Sequence, residues 1–184
     1  MLYTSAEANK LLRQLNEDLS ILLQREEKVS TFNAASNEDP DDLRPDYDYR
    51  AVQAERGRLE NQIRRVKHAI NIFNSTQTLP GVTITDPETN EERPVTIDEV
   101  LILLPQLNAQ RRNYYEMQGR LPRERVSSHY SQPIGSGVID YIHCNYDPAE
   151  ARADFNAVTE QISRLQIALD NANQTIKGVE IAGL

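Results

Sequence analysis

The chain has 184 residues, 39% hydrophobic and 26% charged, with a net charge of −8, one cysteine and no tryptophan. That apolar content suffices for a core, which argues against wholesale disorder, and no apolar run is long enough to span a membrane. The acidic balance disfavours nucleic acid and anionic membranes as partners, because both require a basic footprint. The opening MLYTSAEANK has no basic region followed by an apolar stretch, so no secretory signal is read. Cys144 has no second cysteine to pair with, and a reducing, cytoplasmic setting is expected. The length points to one domain over 1–184.

The first helix is predicted over about 5–32, opened by a capping box in which Thr4 and Glu7 each satisfy a free backbone N–H of the other. Ala8, Leu12, Leu15, Leu19, Leu22 and Val29 recur at alternating spacings of three and four, with Glu26 in one slot. That spacing is a coiled-coil seam. Residues 33–48, with two prolines and six acids against one arginine, read as a solvated acidic loop. It lacks the central Gly and final Glu of a calcium-binding EF-hand. A second helix is predicted over about 49–73, with Val52, Leu59, Ile63, Val66, Ile70 and Phe73 on its seam and Arg56 in one slot. Folded back on the first helix, it matches Ala8 with Ile70, Leu12 with Val66, Leu15 with Ile63 and Leu19 with Leu59, so that residue numbers sum to 78. Glu26 and Arg56 then lie near the loop end, where they are expected to pair or to reach water, since a lone buried charge is costly.

Residues 74–95 change character: NSTQTLPG is turn-rich, and Val82–Thr85 and Pro94–Thr96 flank DPETNEE as a predicted β-hairpin, a β-like insertion over about 80–96. A third helix is predicted over about 97–119, opened by Thr96 and Glu99, kinked by Pro105 and stopped by Gly119 and Pro122. Residues 123–137 read as irregular, and 138–146, VIDYIHCNY, as a strand, making 126–146 a second β-like insertion. Asp147, Pro148 and Glu150 open a last helix over about 148–176. Its seam is unbroken from Ala151 through Phe155, Val158, Ile162, Leu165, Leu169 and Ala172 to Ile176, and 179–181 reads as a short strand. The expected fold is therefore mainly α: an elongated antiparallel helical bundle of coiled-coil hairpins with small β-hairpin insertions. A first helix of about 28 residues would span roughly 42 Å, beyond the radius of gyration of roughly 16 Å of a compact chain this size. Exposed seams then favour a homo-oligomer.

Catalytic chemistry finds little support. Cys144 and His143 are neighbours that a strand points to opposite faces, and no base is brought to the thiol. His68, His129, His143 and Cys144 form no CxxC, HExxH or Glu-x-x-His pattern, so no metal or other cofactor is expected. Gly135-Ser136-Gly137 precedes a strand instead of opening a helix, unlike a phosphate loop. One cluster stands out. Residues 109–130 hold Arg111, Arg112, Arg120, Arg123 and Arg125 with Tyr114, Tyr115, His129 and Tyr130, against two acids. Arginine grips phosphate or carboxylate with two parallel hydrogen bonds, and tyrosine adds stacking and a hydroxyl. Arg111, Arg112, Tyr115, Arg120, Arg123, Arg125, His129 and Tyr130 are thus candidates for a small anionic or nucleotide-like ligand, or for an acidic protein surface. The same cluster also suits a contact with the acidic loop 38–48, within one chain or between subunits.

The order of features resembles the septicolysin-like family of small bacterial proteins. The resemblance rests on the helical hairpin ending in 70–76, INIFNST, the Thr96-Ile97-Asp98-Glu99-Val100 helix start, the basic run ending in 125–131, RVSSHYS, and the Asp-capped last helix. It implies a helical, self-associating bacterial protein and supplies no catalytic residues. The expected function is a non-enzymatic interaction or scaffold protein, with a small anionic-ligand binder as the alternative.

Overall fold

The computed structural model describes residues 1–86, 88–125 and 140–183. The chain is mainly helical, with short antiparallel strand pairs. Where the sequence suggests one domain, the chain groups into two compact units, Met1–Asp98 with Asp170–Leu184 and Glu99–Leu169.

The first unit is built on two long helices. β1 (Leu2–Thr4) leads into α1 (Ser5–Val29), which starts at the predicted capping box: Glu7 N donates to Thr4 Oγ1 at 3.2 Å, and Thr4 N to Glu7 Oε2 at 2.8 Å. The Thr4 backbone N–H holds the Glu7 carboxyl below its usual range. The helix ends at Val29, three residues before the predicted Phe32, where Ser30 N caps back to Glu26 O. The acidic loop carries one short turn of helix, α2 (Pro40–Leu43), capped by Asp39. Asp48 then caps α3 (Tyr49–Thr76), which runs three residues beyond the predicted Phe73.

α1 and α3 pack side by side in opposite directions. Near one end Gln53 Nε2 donates to Glu26 Oε1 at 2.7 Å, a contact whose residue numbers sum to 79, one from the predicted register. At the other end β1 pairs with β6 (Lys177–Glu180), Tyr3 facing Val179, and β6 lies against both helices. Gly178 permits that approach: a Cβ there would stand 2.5 Å from Phe73 Cε2. β2 (Thr78–Thr85) and β3 (Glu92–Thr96) form the expected hairpin, with a register irregularity between Thr78 and Thr83.

Burial in this unit is concentrated at the strand end. Ala8, Val66, Phe73, Leu79, Val95, Ile97 and Val179 are buried there, with Leu15, Leu59, Ile63 and Ile70 following along the helices. Toward the loop, Leu19, Leu22 and Val29 of α1 and Val52 of α3 are only half-buried. Two helices cover one stripe of each other, so seam positions with no strand above them keep a flank in water.

The second unit takes α4 (Ile97–Gln118) from Glu99 onward, β4 (Arg123–Arg125), β5 (Tyr141–His143) and α5 (Pro148–Thr175) as far as Leu169. α4 continues through Pro105 and ends one residue before Gly119. The segment expected to be irregular contributes β4, which pairs antiparallel with β5 so that Arg123 faces His143 and Arg125 faces Tyr141. Asp147 caps α5 as predicted, accepting from Ala149 N at 2.8 Å.

Candidate functional site

The arginine cluster is divided by the fold. α4 carries Arg111, half-buried, and Arg112, exposed, on the turns before Tyr115. After the helix, Arg120 N turns back to Met117 O at 3.2 Å, and Cys144 N reaches Pro122 O at 3.0 Å. Tyr146 secures the same corner by donating its phenol to Met117 O at 2.9 Å. Burial pushes the Tyr146 phenol up, and its hydrogen bond with Cys144 adds to the shift.

Within the second unit, an open cleft of about 630 Å³ is lined by Tyr115, Glu116, Gln118, Arg120, Glu124 and Arg152. It brings together Tyr115 and Arg120 of the predicted set and adds Arg152, which the sequence places in the first turns of α5. The Tyr115 ring is held by Phe155 of α5, centroid to centroid 5.9 Å. Arg111 and Arg112 do not line this cleft. Arg123 is occupied elsewhere, its guanidinium 3.5 Å above the Tyr141 ring, a cation–π contact. Arg125 lies on exposed β4 opposite Tyr141. His129 and Tyr130 lie outside the described residues, as does the Gly135-Ser136-Gly137 run.

Among the described residues, two arginines thus face two carboxylates, Glu116 and Glu124, which leaves these side chains of the cleft with no net positive charge. Its side chains are largely exposed, where water screens each charge. Among the described residues no cysteine or histidine lines it. Cys144 is half-buried beside Tyr146, and the His143 side chain is exposed. Among the described residues, no group of three or more His, Cys, Asp or Glu side chains comes together to hold a metal ion. No helix among them is long and apolar enough to cross a membrane.

Glu26 and Arg56, expected to pair or to reach water, take separate hydrogen-bond partners, with Arg56 exposed. Glu26 accepts from Tyr47 Oη at 2.8 Å and from Gln53 Nε2 at 2.7 Å. Arg56 is exposed, and its Nε donates to Glu60 Oε1 at 2.8 Å one turn along α3. Neutral donors satisfy the half-buried carboxylate without drawing a second charge out of water, the cheaper arrangement. The Glu26 bond in turn raises the Tyr47 phenol to about 12. Spacing along the helices could not show this, because Tyr47 comes from the loop.

A second basic face lies on α3, which pattern reading left aside. From Asn61 to Thr76 the helix has no acid, and Arg64, Arg65, Lys67 and His68 are all exposed. Arg65, His68, Ala69 and Ile72 line a cleft of about 400 Å³ with Glu180 and Ala182. A count of charge along each helix face, taken beside the apolar spacing, is the signal that would have found it.

No family model matches the chain, and no curated protein sequence matches it. The fold is similar to the crystal structure of a functionally unknown conserved protein from Corynebacterium diphtheriae, at 18% identity and a TM-score of 0.53, over 96% of this chain and 99% of that one. At that identity the likeness concerns the fold alone, which this chain shares with a conserved bacterial protein.

Proposed function

We propose that the protein is a non-enzymatic interaction protein that works as a self-associated assembly, joined through the faces of its heptad-patterned helices. The observation that carries this reading is the exposure left toward the loop of the α1–α3 pair. Leu19, Leu22, Val29 and Val52 keep a flank in water, and Ile21 and Leu23 are 48% and 37% exposed. Burying such faces against a second copy removes apolar area from water, at roughly 25 cal/mol per Å². The α1–α3 pairing is of coiled-coil type in this reading, supported by the Glu26–Gln53 contact close to the predicted register. The setting is a reducing cytoplasm, supported by the lone cysteine. The septicolysin-like resemblance fits the same reading.

Light scattering over a concentration series tests it. The mass should rise above the 21.0 kDa of one chain. A strict monomer at the highest concentration would sink the proposal.

A second reading is favoured by one observation, the convergence of Arg120, Arg152 and Tyr115 on one cleft. It makes that cleft a binding place for a small anionic or nucleotide-like ligand, with Glu116 and Glu124 limiting affinity for a simple anion. A thermal-shift series with inorganic phosphate and nucleotides separates the two readings. Stabilisation that disappears in Arg120→Gln with Arg152→Gln supports the cleft, and no stabilisation by any anion removes it.

A further inference from the structure

The first unit is polarised along its length. At one end the loop between α1 and α3 carries Glu38, Asp39, Asp41, Asp42, Asp46 and Asp48, all exposed, against one arginine. That arginine, Arg44, pairs with Asp41 at 2.8 Å. From its midpoint onward α3 presents Arg64, Arg65, Lys67 and His68, with no acid between Asn61 and Thr76. Among the described residues, none of these four makes an ion pair. Arg64 donates to Asn61 and Arg65 to the Gly183 carbonyl, both neutral acceptors.

One chain cannot neutralise these charges against each other. From Tyr49 to Arg64, α3 rises roughly 22 Å, more than two Debye lengths of about 8 Å at physiological salt. Both ends also present apolar groups among the charges. Leu43, in the middle of the acidic tip, is 45% exposed. The basic stretch of α3 borders the cleft of about 400 Å³, whose apolar lining includes Ala69 and Ile72, the latter 50% exposed. Arg65 and His68 stand at that cleft, Glu180 is its single acidic side chain among the described residues, and Arg64 and Lys67 are adjacent on α3.

We infer that the acidic tip of one copy docks on the basic face of α3 in a second copy, with Leu43 entering the cleft beside Ile72. The inference rests on the self-association proposed above and names its contact and orientation. Two copies lying antiparallel make the contact twice, which closes a two-fold symmetric dimer. The net charge of −8 favours this occupant over a polyanion, which the rest of the chain repels.

Complementation between two charge variants of the full chain tests it by sedimentation velocity. Asp42→Lys/Asp46→Lys makes the tip basic, and Arg64→Glu/Lys67→Glu makes the α3 face acidic. All four side chains are exposed, and circular dichroism checks that each variant is helical. Each variant alone should dissociate about ten-fold or more easily than the wild type, and an equimolar mixture should recover association. Raising salt from about 0.1 M to about 1 M should weaken the wild type in the same way, as screening shortens to about 3 Å. A dimer indifferent to both variants and to salt overturns the inference while leaving self-association standing, as does a mixture of folded variants that fails to recover. A monomeric wild type removes both. Capture of the wild type by a heparin probe, lost in Arg64→Glu/Lys67→Glu while association is unchanged, would make the face a polyanion site and overturn the docking.

Discussion

Gly178 packs where no side chain fits. A Cβ at this position would meet the Phe73 ring at 2.5 and 2.9 Å, and Phe73 is itself buried. Gly178→Ala should therefore lower stability by about 1–3 kcal/mol, read as a shift in the denaturant midpoint. Combining it with Phe73→Leu should cost less than the two changes summed, because the ring is what the new methyl strikes. Thr4 presents a simpler case. Its hydroxyl accepts the Glu7 N–H at the start of α1, so Thr4→Ala should cost about 0.5–2 kcal/mol in the same measurement. Tyr47 links stability to pH. Its bond to the Glu26 carboxylate raises the folded phenol to about 12, above the ordinary value of 10.0. The stabilisation is complete below the unfolded value and is lost as pH climbs through the folded one. Wild type and Tyr47→Phe should thus differ in midpoint by a constant amount near neutrality, with the difference closing above about pH 10. A difference that persists undiminished to about pH 12 would break the link.

At the scale of elements, the long helices, the β2–β3 hairpin and the regions of β5 and β6 were legible, whereas α2, β1 and β4 were not. α1 and α3 announce themselves by caps and by seam spacing over many turns, so many residues vote for each. β1 has three residues, Leu2-Tyr3-Thr4, and becomes a strand only because β6 arrives from the far end of the chain. β4 is Arg-Glu-Arg, with no strand propensity, and is extended because Tyr141–His143 pairs with it. Leu79 is the sharpest case. It lies in NSTQTLPG, read as turn-rich, yet it is 2% exposed and belongs to β2. Pro80 and Gly81 are accommodated between Thr78 and Thr83, where the pairing register shifts. Leu79→Ala should cost about 2–5 kcal/mol, while Ile72→Ala on the exposed face of α3 should leave stability within about 0.5 kcal/mol. Equal effects in a thermal melt would contradict that assignment of the core.

At the scale of the molecule, charge is the property that pattern reading located in part. The arginine-rich stretch 109–130 was conspicuous as a run in sequence. In space Arg123 is taken up by Tyr141, Arg120 joins Arg152 and two glutamates, and Arg111 and Arg112 stay outside the cleft. The basic face of α3 is the reverse: its cations share the helix with Glu55 and Glu60, so the composition of α3 looks mixed. Those acids are already bound to Arg58 and Arg56 in exposed pairs on the same helix. What is left over toward Thr76 is uniformly basic. The assembled state is where this segregation has a consequence, and the mass measured by light scattering is the first number to obtain.

The sequence by itself determined the four long helices, the caps at Thr4 and Asp147, and the β2–β3 hairpin. Each depends on contacts between residues close in the chain or on a periodicity repeated over several turns. Only the tertiary structure decided the partners of Glu26 and Arg56, the β1–β6 and β4–β5 pairings, and the burial of Leu79. Those depend on which distant segment supplies a donor, an edge or a cover, and no local spacing encodes that. The same holds for the candidate surfaces. Tyr115 and Arg120 were visible as residue types, but Arg152 beside them, and Leu43 and Ile72 as exposed apolar groups amid opposite charges, follow from the fold.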